Sequence, residues 1–176
     1  MHQPFLAYKF ILTKFKHPTL DYDIFAMLDP CHMRKLAKNA LANLGSMLTT
    51  NQQIIHWHYI SSLHNAQEYH GLKLGNKLTS NHINFQKHKM KVNLAAQNLS
   101  SSVADAIDFM NVVHKNPQFQ DSETTITFIR TVDKLFDILN SRNALVKGFK
   151  KPLNLASKAS WEIALRMIAD YLLSLK

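Results

Sequence analysis

Apolar residues recur at three- and four-residue spacing along most of this chain, the pattern of helices that bury one face. One early stretch departs from it. Asp23-Ile-Phe-Ala-Met-Leu28 is a continuous apolar run closed by Asp29-Pro30, which predicts a short buried strand at about 24–28. Asp29 suits the cap of the following helix and Pro30 its first turn. That helix, from 31 to about 48, presents Met33, Leu36, Ala37, Ala40, Leu41 and Leu44 on one face. A turn at Thr49-Thr50-Asn51 leads to a second helix from 54 to about 69, striped by Ile55, Tyr59, Ile60 and Leu63 and closed by Gly71.

After a connection at 72–79, a long helix is predicted from Ser80 or Asn81 to about 97. Ser100-Ser101-Ser102 interrupts it, and the next helix carries Val103, Ala106, Ile107, Met110 and Val113. Asn116-Pro117 breaks the chain again. Asp121 or Ser122 then caps a helix with Ile126, Ile129, Val132, Leu135, Phe136 and Leu139 in register. A loop at 143–155 precedes a last helix from about 157 to 175. The predicted class is mostly α, a helical bundle preceded by a short strand–helix piece, and no internal repeat or flexible linker is evident.

Composition narrows the partners. With 176 residues, 46% of them hydrophobic, the chain can build one ordinary core, or a core plus a fragment of another domain. A formal charge of +9 favours polyanions such as nucleic acids and nucleotides. No stretch reaches the roughly 18 apolar residues of a membrane span. Residues 5–15 are largely apolar, but Lys9 and Lys14 interrupt them and no small-residue cleavage site follows, so a secretory signal is not expected. The single Cys31 precludes an intrachain disulfide and fits a reducing compartment such as cytosol or nucleus.

Two tempting motifs fail on spacing. Gly71-Leu-Lys-Leu-Gly75-Asn76-Lys77-Leu78-Thr79 is one residue short of the P-loop interval and has Asn76 between Gly75 and Lys77, with no βα unit around it. His56, His58, His64 and His70 contain no i, i+4 pair, and Cys31-His32 has no second cysteine, so zinc is not expected. Trp57 and Trp161 read as core or interface aromatics within helices.

Seven phrases taken in order carry a family resemblance: Asp29-Pro-Cys-His-Met-Arg-Lys-Leu36, Gly75-Asn-Lys-Leu-Thr79, His82-Ile-Asn-Phe85 and Lys89-Met-Lys-Val-Asn-Leu-Ala-Ala-Gln97. Leu99-Ser-Ser-Ser-Val-Ala-Asp-Ala106, Phe136-Asp-Ile-Leu-Asn-Ser-Arg142 and Lys147-Gly-Phe-Lys-Lys-Pro-Leu153 complete the set. Over roughly residues 20 to 176 the chain resembles P-element transposases and their relatives with a THAP DNA-binding domain. The resemblance implies an RNase H-like catalytic fold interrupted by an all-helical GTP-binding insertion, with residues 1–35 belonging to the former and 36–176 to the latter. It also implies a nuclear protein, transposon-end DNA as partner, and a homo-oligomer in the intact family.

Asp29 matches the second of three acidic Mg²⁺ ligands in that family, and a carboxylate at a strand end suits a hard cation. The first acid is expected upstream of these residues and the third downstream, in a Gln-Asp-x-x-Glu-like segment. Neither a THAP domain nor a zipper-like segment is visible here. One ligand cannot hold two metals, so this chain alone is not expected to cut or join DNA, and a domesticated basic DNA- or protein-binding module is the alternative. Read without the family, Asp29 is an N-cap.

For the nucleotide, Asp137 matches the position associated with the guanine base, whose N1–H and exocyclic amine suit a carboxylate. Asn140 lies about one turn later. Lys77 and Lys91 match basic positions associated with nucleotide contact, with Val92 beside them. GTP is implied as a positioning cofactor and not as a hydrolysed substrate. Lys87 and Lys91, four apart and predicted to share a helix face, are the candidates for DNA contact. By residue type alone, Asp137 is an ordinary solvated or ion-paired acid, and Lys87, Lys89 and Lys91 an ordinary solvated basic face.

Overall fold

The computed structural model describes residues 14–27, 29–71, 73–141, 145 and 147–176. Most of the apolar opening at 5–15, the end of the expected strand at Leu28, and Leu72, Arg142, Asn143, Ala144 and Val146 lie outside the described residues.

The early apolar run does form a strand, but a shorter and more exposed one than expected. β1 (Lys14–Lys16) and β2 (Asp23–Phe25) pair antiparallel, with Phe15 opposite Ile24. Lys14 and Lys16 both reach Asp23, at 2.7 and 3.4 Å. Nothing among the described residues stacks on this two-stranded ribbon, and Phe25 and Met27 stay 70% and 66% exposed. A strand is buried only when a second layer covers it, and no described residue covers Phe25 or Met27.

α1 (Pro30–Leu44) starts as the sequence predicts: Asp29 Oδ2 accepts the His32 N–H at 2.8 Å. It ends four residues early because Gly45, at φ 75°, enters the left-handed region. Residues 46–48 become β3 (Ser46–Leu48), antiparallel to β4 (Ile54–His56) with Met47 opposite Ile55. The helix expected from 54 therefore begins only at α2 (His58–His70), and Gly71 closes it at φ 64°. The β-branched pair Ile54-Ile55 prefers the hairpin, turning Ile55 inward and Ile54 outward. The face of α1 also differs from expectation. Arg34, Lys35, Lys38 and Leu41 are buried, whereas Leu36 and Leu44 are 41% and 59% exposed.

The single helix expected over 80–97 is three pieces: α3 (Ser80–Ile83), a 3-10 turn (Phe85–His88), and α4 (Val92–Asn98). α5 (Ser101–Asp108) runs on as a π-helical stretch through Val113, and a 3-10 turn follows at Pro117 with the Asn116 side chain accepting the Gln118 N–H. α6 (Glu123–Leu139) is the central element. It lies against α5, α1, β4 and α7 (Lys158–Leu173). The main core gathers Leu41, Ile55, Ile60, Leu63, Leu99, Ile107 and Ile129. A second, smaller core of Ile138, Ala164 and Ile168 seats α7 on the far end of α6. The last residue, Lys176, exchanges two backbone hydrogen bonds with Leu48, at 3.0 and 2.8 Å, and so extends the β3 edge.

Candidate nucleotide site

Arg34 organises the region where the sequence places the nucleotide. Its Nη2 donates to Asp133 Oδ1 at 2.5 Å, to Ala96 O at 2.8 Å and to Leu99 O. The guanidinium lies over the Phe136 ring, 4.5 Å from its centroid. The other carboxylate oxygen of Asp133 accepts from Ser101 N at 2.8 Å and Ser101 Oγ at 2.6 Å, and thereby caps α5. One buried ion pair thus ties α1, α4, α5 and α6 together.

Asp137 sits one turn beyond Asp133 on α6, with its side chain 27% exposed. Lys150 Nζ stands 3.7 Å from its Oδ2, a long ion pair. Burial pushes the Asp137 carboxyl above the usual carboxylate range, with Lys150 acting in the opposite sense and Asp133 in the same one. Asn140 closes α6 at its C-terminal end, half-buried, its N–H bonded to Phe136 O.

Lys91 is exposed at the extended residue that precedes α4, and Val92, half-buried, is the first residue of that helix. Lys87 is exposed within the 3-10 turn. The two lysines do not share one helix face, because the chain leaves helical geometry between them, where Lys91 N bonds His88 O. Lys77 is exposed between buried Asn76 and buried Leu78, and Asn76 Oδ1 accepts the Leu78 N–H at 3.1 Å.

His82 straps this segment to α4. Thr79 N–H donates to His82 Nδ1 at 3.0 Å, His82 Nε2 meets Gln97 Oε1 at 2.8 Å, and Asn98 Nδ2 donates to the His82 carbonyl. Burial lowers the His82 pKa, against the hydrogen bond to Gln97. The Lys77 segment and α4 are therefore joined through His82, and α4 and the Asp137 end of α6 through Arg34. Lys91, however, lies at the opposite end of α4 from Ala96 and Leu99, about 10 Å along the helix axis. The sequence reading did not single out Arg34, Lys35, Lys38, Asp133 or His82 for this region. The Thr79-x-x-His82 spacing, a capping-box interval, was the available signal for the last.

Among the described residues Asp29 is not joined by other metal-ligating side chains. Its carboxylate is engaged in capping α1, and Asp23 is engaged by Lys14 and Lys16. Among the described residues no cluster of three His, Cys, Asp or Glu side chains is placed to hold an ion, so the donor set does not fit a two-metal site. Trp57 precedes α2 in the core and packs edge-on to Phe85, and Trp161 on α7 donates to Asn154 O. Among the described residues no helix is long and apolar enough to cross a membrane.

Comparison with known proteins gives three findings. The sequence model of the family described as TNP-like, GTP-binding insertion domain matches residues 31–152. A human protein, DNA transposase THAP9, is 38% identical over 140 residues, which is 79% of this chain and 15% of that protein. The solved Drosophila P element transposase strand transfer complex contains a chain that superposes with a TM-score of 0.74 at 25% identity, covering 88% of this chain and 35% of that one. This chain therefore spans only a minor part of either relative's length.

Proposed function

The chain belongs to the TNP-like, GTP-binding insertion domain family, and from that premise we propose that it binds a guanine nucleotide between α4 and α6 and serves as the nucleotide-binding part of a P-element-like DNA transposase. The carrying observation is Asp137: a partly buried carboxylate whose only ion pair among the described residues is long, within the matched span. Such a group is free to accept the paired N–H donors of guanine. Asn140 adds an amide at the same helix end. Lys77 and Lys91, with Val92 beside the latter, supply charge and a backbone N–H for the phosphates. The bound nucleotide would supply anionic bulk that draws the Lys77 segment, α4 and α6 together; none of these residues forms a P-loop or is placed to activate water for its hydrolysis.

On the same reading, residues 1–35 derive from an RNase H-like catalytic domain and 36–176 form the insertion. Asp29 is the family's second metal acid by position, with Mg²⁺ chemistry reserved to an intact protein that supplies the other two. Lys87 and Lys91 face transposon-end DNA, the intact protein assembles as an oligomer, and it works in the nucleus. The fold of a relative solved in a strand transfer complex and the net charge of +9 support the DNA partner.

Calorimetric titration tests the reading. GTP should bind the wild-type chain in preference to ATP, and Asp137→Ala should weaken GTP at least tenfold while the far-UV spectrum is unchanged. No GTP binding, or equal GTP affinity in Asp137→Ala, would remove the guanine assignment. Salt-dependent DNA binding without any GTP binding would instead favour a DNA-binding module that has lost its nucleotide.

A further inference from the structure

α1 buries three cations within little more than one turn, and among the described residues only one of them has a counter-charge. Arg34 is matched by Asp133. Lys35 is 6% exposed, and among the described residues its Nζ finds only the Met90 thioether at 3.8 Å. Lys38 is 1% exposed, with its Nζ 4.8 Å from the Phe85 ring centroid and no carboxylate partner among the described residues. Both lysines run toward the stretch from Phe85 to Lys91, which adds Lys87, Lys89 and Lys91 and contributes no acid. A thioether is a weak acceptor and a ring face a partial one, so neither offsets the desolvation of an ammonium group. An uncompensated buried charge destabilises the fold, and an anion seated beside it would offset that cost.

We propose that Lys35 and Lys38 are the inner wall of a polyphosphate seat that opens at the 89–91 turn, with Lys91 at its rim. This rests on the nucleotide reading above and extends it to two residues of α1. The order of contacts along α1 fits one elongated ligand. Arg34 meets Asp133, one turn from Asp137, whereas Lys35 and Lys38 meet Met90 and Phe85 of the 85–91 stretch. A nucleotide laid along α1 would therefore hold its base at the α6 end and its phosphates at the 85–91 end. Met90 is 75% exposed with its sulfur against Lys35, and it is the side chain that moves to admit the ligand. Burial, helped by Lys89, pulls Lys38 down to about 8, which an anion beside it would reverse.

Inorganic tripolyphosphate and GTP, titrated separately into the full chain, provide the test. Wild type should bind both, and Lys35→Met and Lys38→Met should each weaken both at least tenfold. The ligand-free melting point of Lys38→Met should rise, because an uncompensated charge has been replaced by a packed apolar chain. Lys73→Met, at an exposed position outside the seat, should stay within twofold of wild type. Unchanged tripolyphosphate affinity in both seat variants would overturn the proposal.

If a variant does not fold, wild type alone decides. At about pH 8.5 tripolyphosphate binding should take up protons, read from the dependence of binding heat on buffer ionisation enthalpy. The uptake is assigned to Lys38, which faces Lys89, His82 and the Phe85 ring. Absence of uptake overturns the seat. Tripolyphosphate binding without preference for GTP over ATP would keep the seat and discard the guanine reading. GTP binding indifferent to Lys35 and Lys38 would do the reverse.

Discussion

Asp133→Ala is the substitution whose effect the structure sets most firmly. The carboxylate does two things at once: one oxygen pairs with Arg34, whose side chain is 4% exposed, and the other accepts two hydrogen bonds from Ser101 at the start of α5. Truncation leaves the guanidinium buried with only the carbonyls of Ala96 and Leu99 as acceptors, and breaking a buried pair from one side costs about 3–5 kcal/mol. The retained carbonyls place the pair loss near the low end of that range, and loss of the α5 cap adds about 1 kcal/mol. The sum is about 4 kcal/mol, or roughly 10 °C in melting temperature for a chain of this size. Urea unfolding followed by far-UV circular dichroism, at an unchanged m-value, measures it. Arg34→Met with Asp133→Leu should cost less than Asp133→Ala alone, because no buried charge is then left behind. A single-mutant loss below about 1 kcal/mol, or a double mutant worse than the single, would show that the pair does not fasten these helices.

Two further outcomes follow from buried polar groups. Lys38 titrates at about 8 in the folded chain against 10.5 normally, so between those values the unfolded chain holds more protons and stability rises with pH. The penalty, about 3 kcal/mol at 1.36 kcal/mol per pKa unit, is fully present below pH 8 and gone above about 10.5. Stability profiles of wild type and Lys38→Met should converge toward high pH on this account, and parallel profiles would refute it. Gln67 is buried with both carboxamide atoms unpartnered among the described residues, at the wall of an apolar cavity of about 290 Å³ shared with Leu74 and Met110. Gln67→Met should therefore stabilise by about 1 kcal/mol in urea unfolding, and a loss of that size would mean that water already satisfies the amide.

Local chemistry was legible in the sequence where one or two residues decide it. Asp29-Pro30 opens α1, Gly71 closes α2 and Asn116-Pro117 makes a turn, each through contacts a few residues apart. The face of α1 was not legible, since periodicity assigns Leu36 inward and cannot foresee that Arg34 finds its acid 99 positions later. The break between Ile83 and Val92 escaped for a related reason: no glycine or proline marks it, and the His82 side chain, bonded to Thr79 and Gln97, holds it in place. The nucleotide candidates came from the order of motifs, whereas the buried lysines of α1 emerge only from packing.

The seat of α7 has a consequence for motion. Only Ala164 and Ile168 on that helix are fully buried, against Ile138, while Tyr171 and Leu172 in its last turn pack on the main core and the backbone clasp between Leu48 and Lys176 is its distal tether. The stretch of α7 as far as Ile168 is therefore the part that can lift off α6 while its last turn, the clasp and the main core stay closed. Its amides are expected to exchange with solvent at a free energy well below that of global unfolding, as one cooperative opening. The first turns of α7 are thus a segment of this chain readily exchanged for a different neighbour.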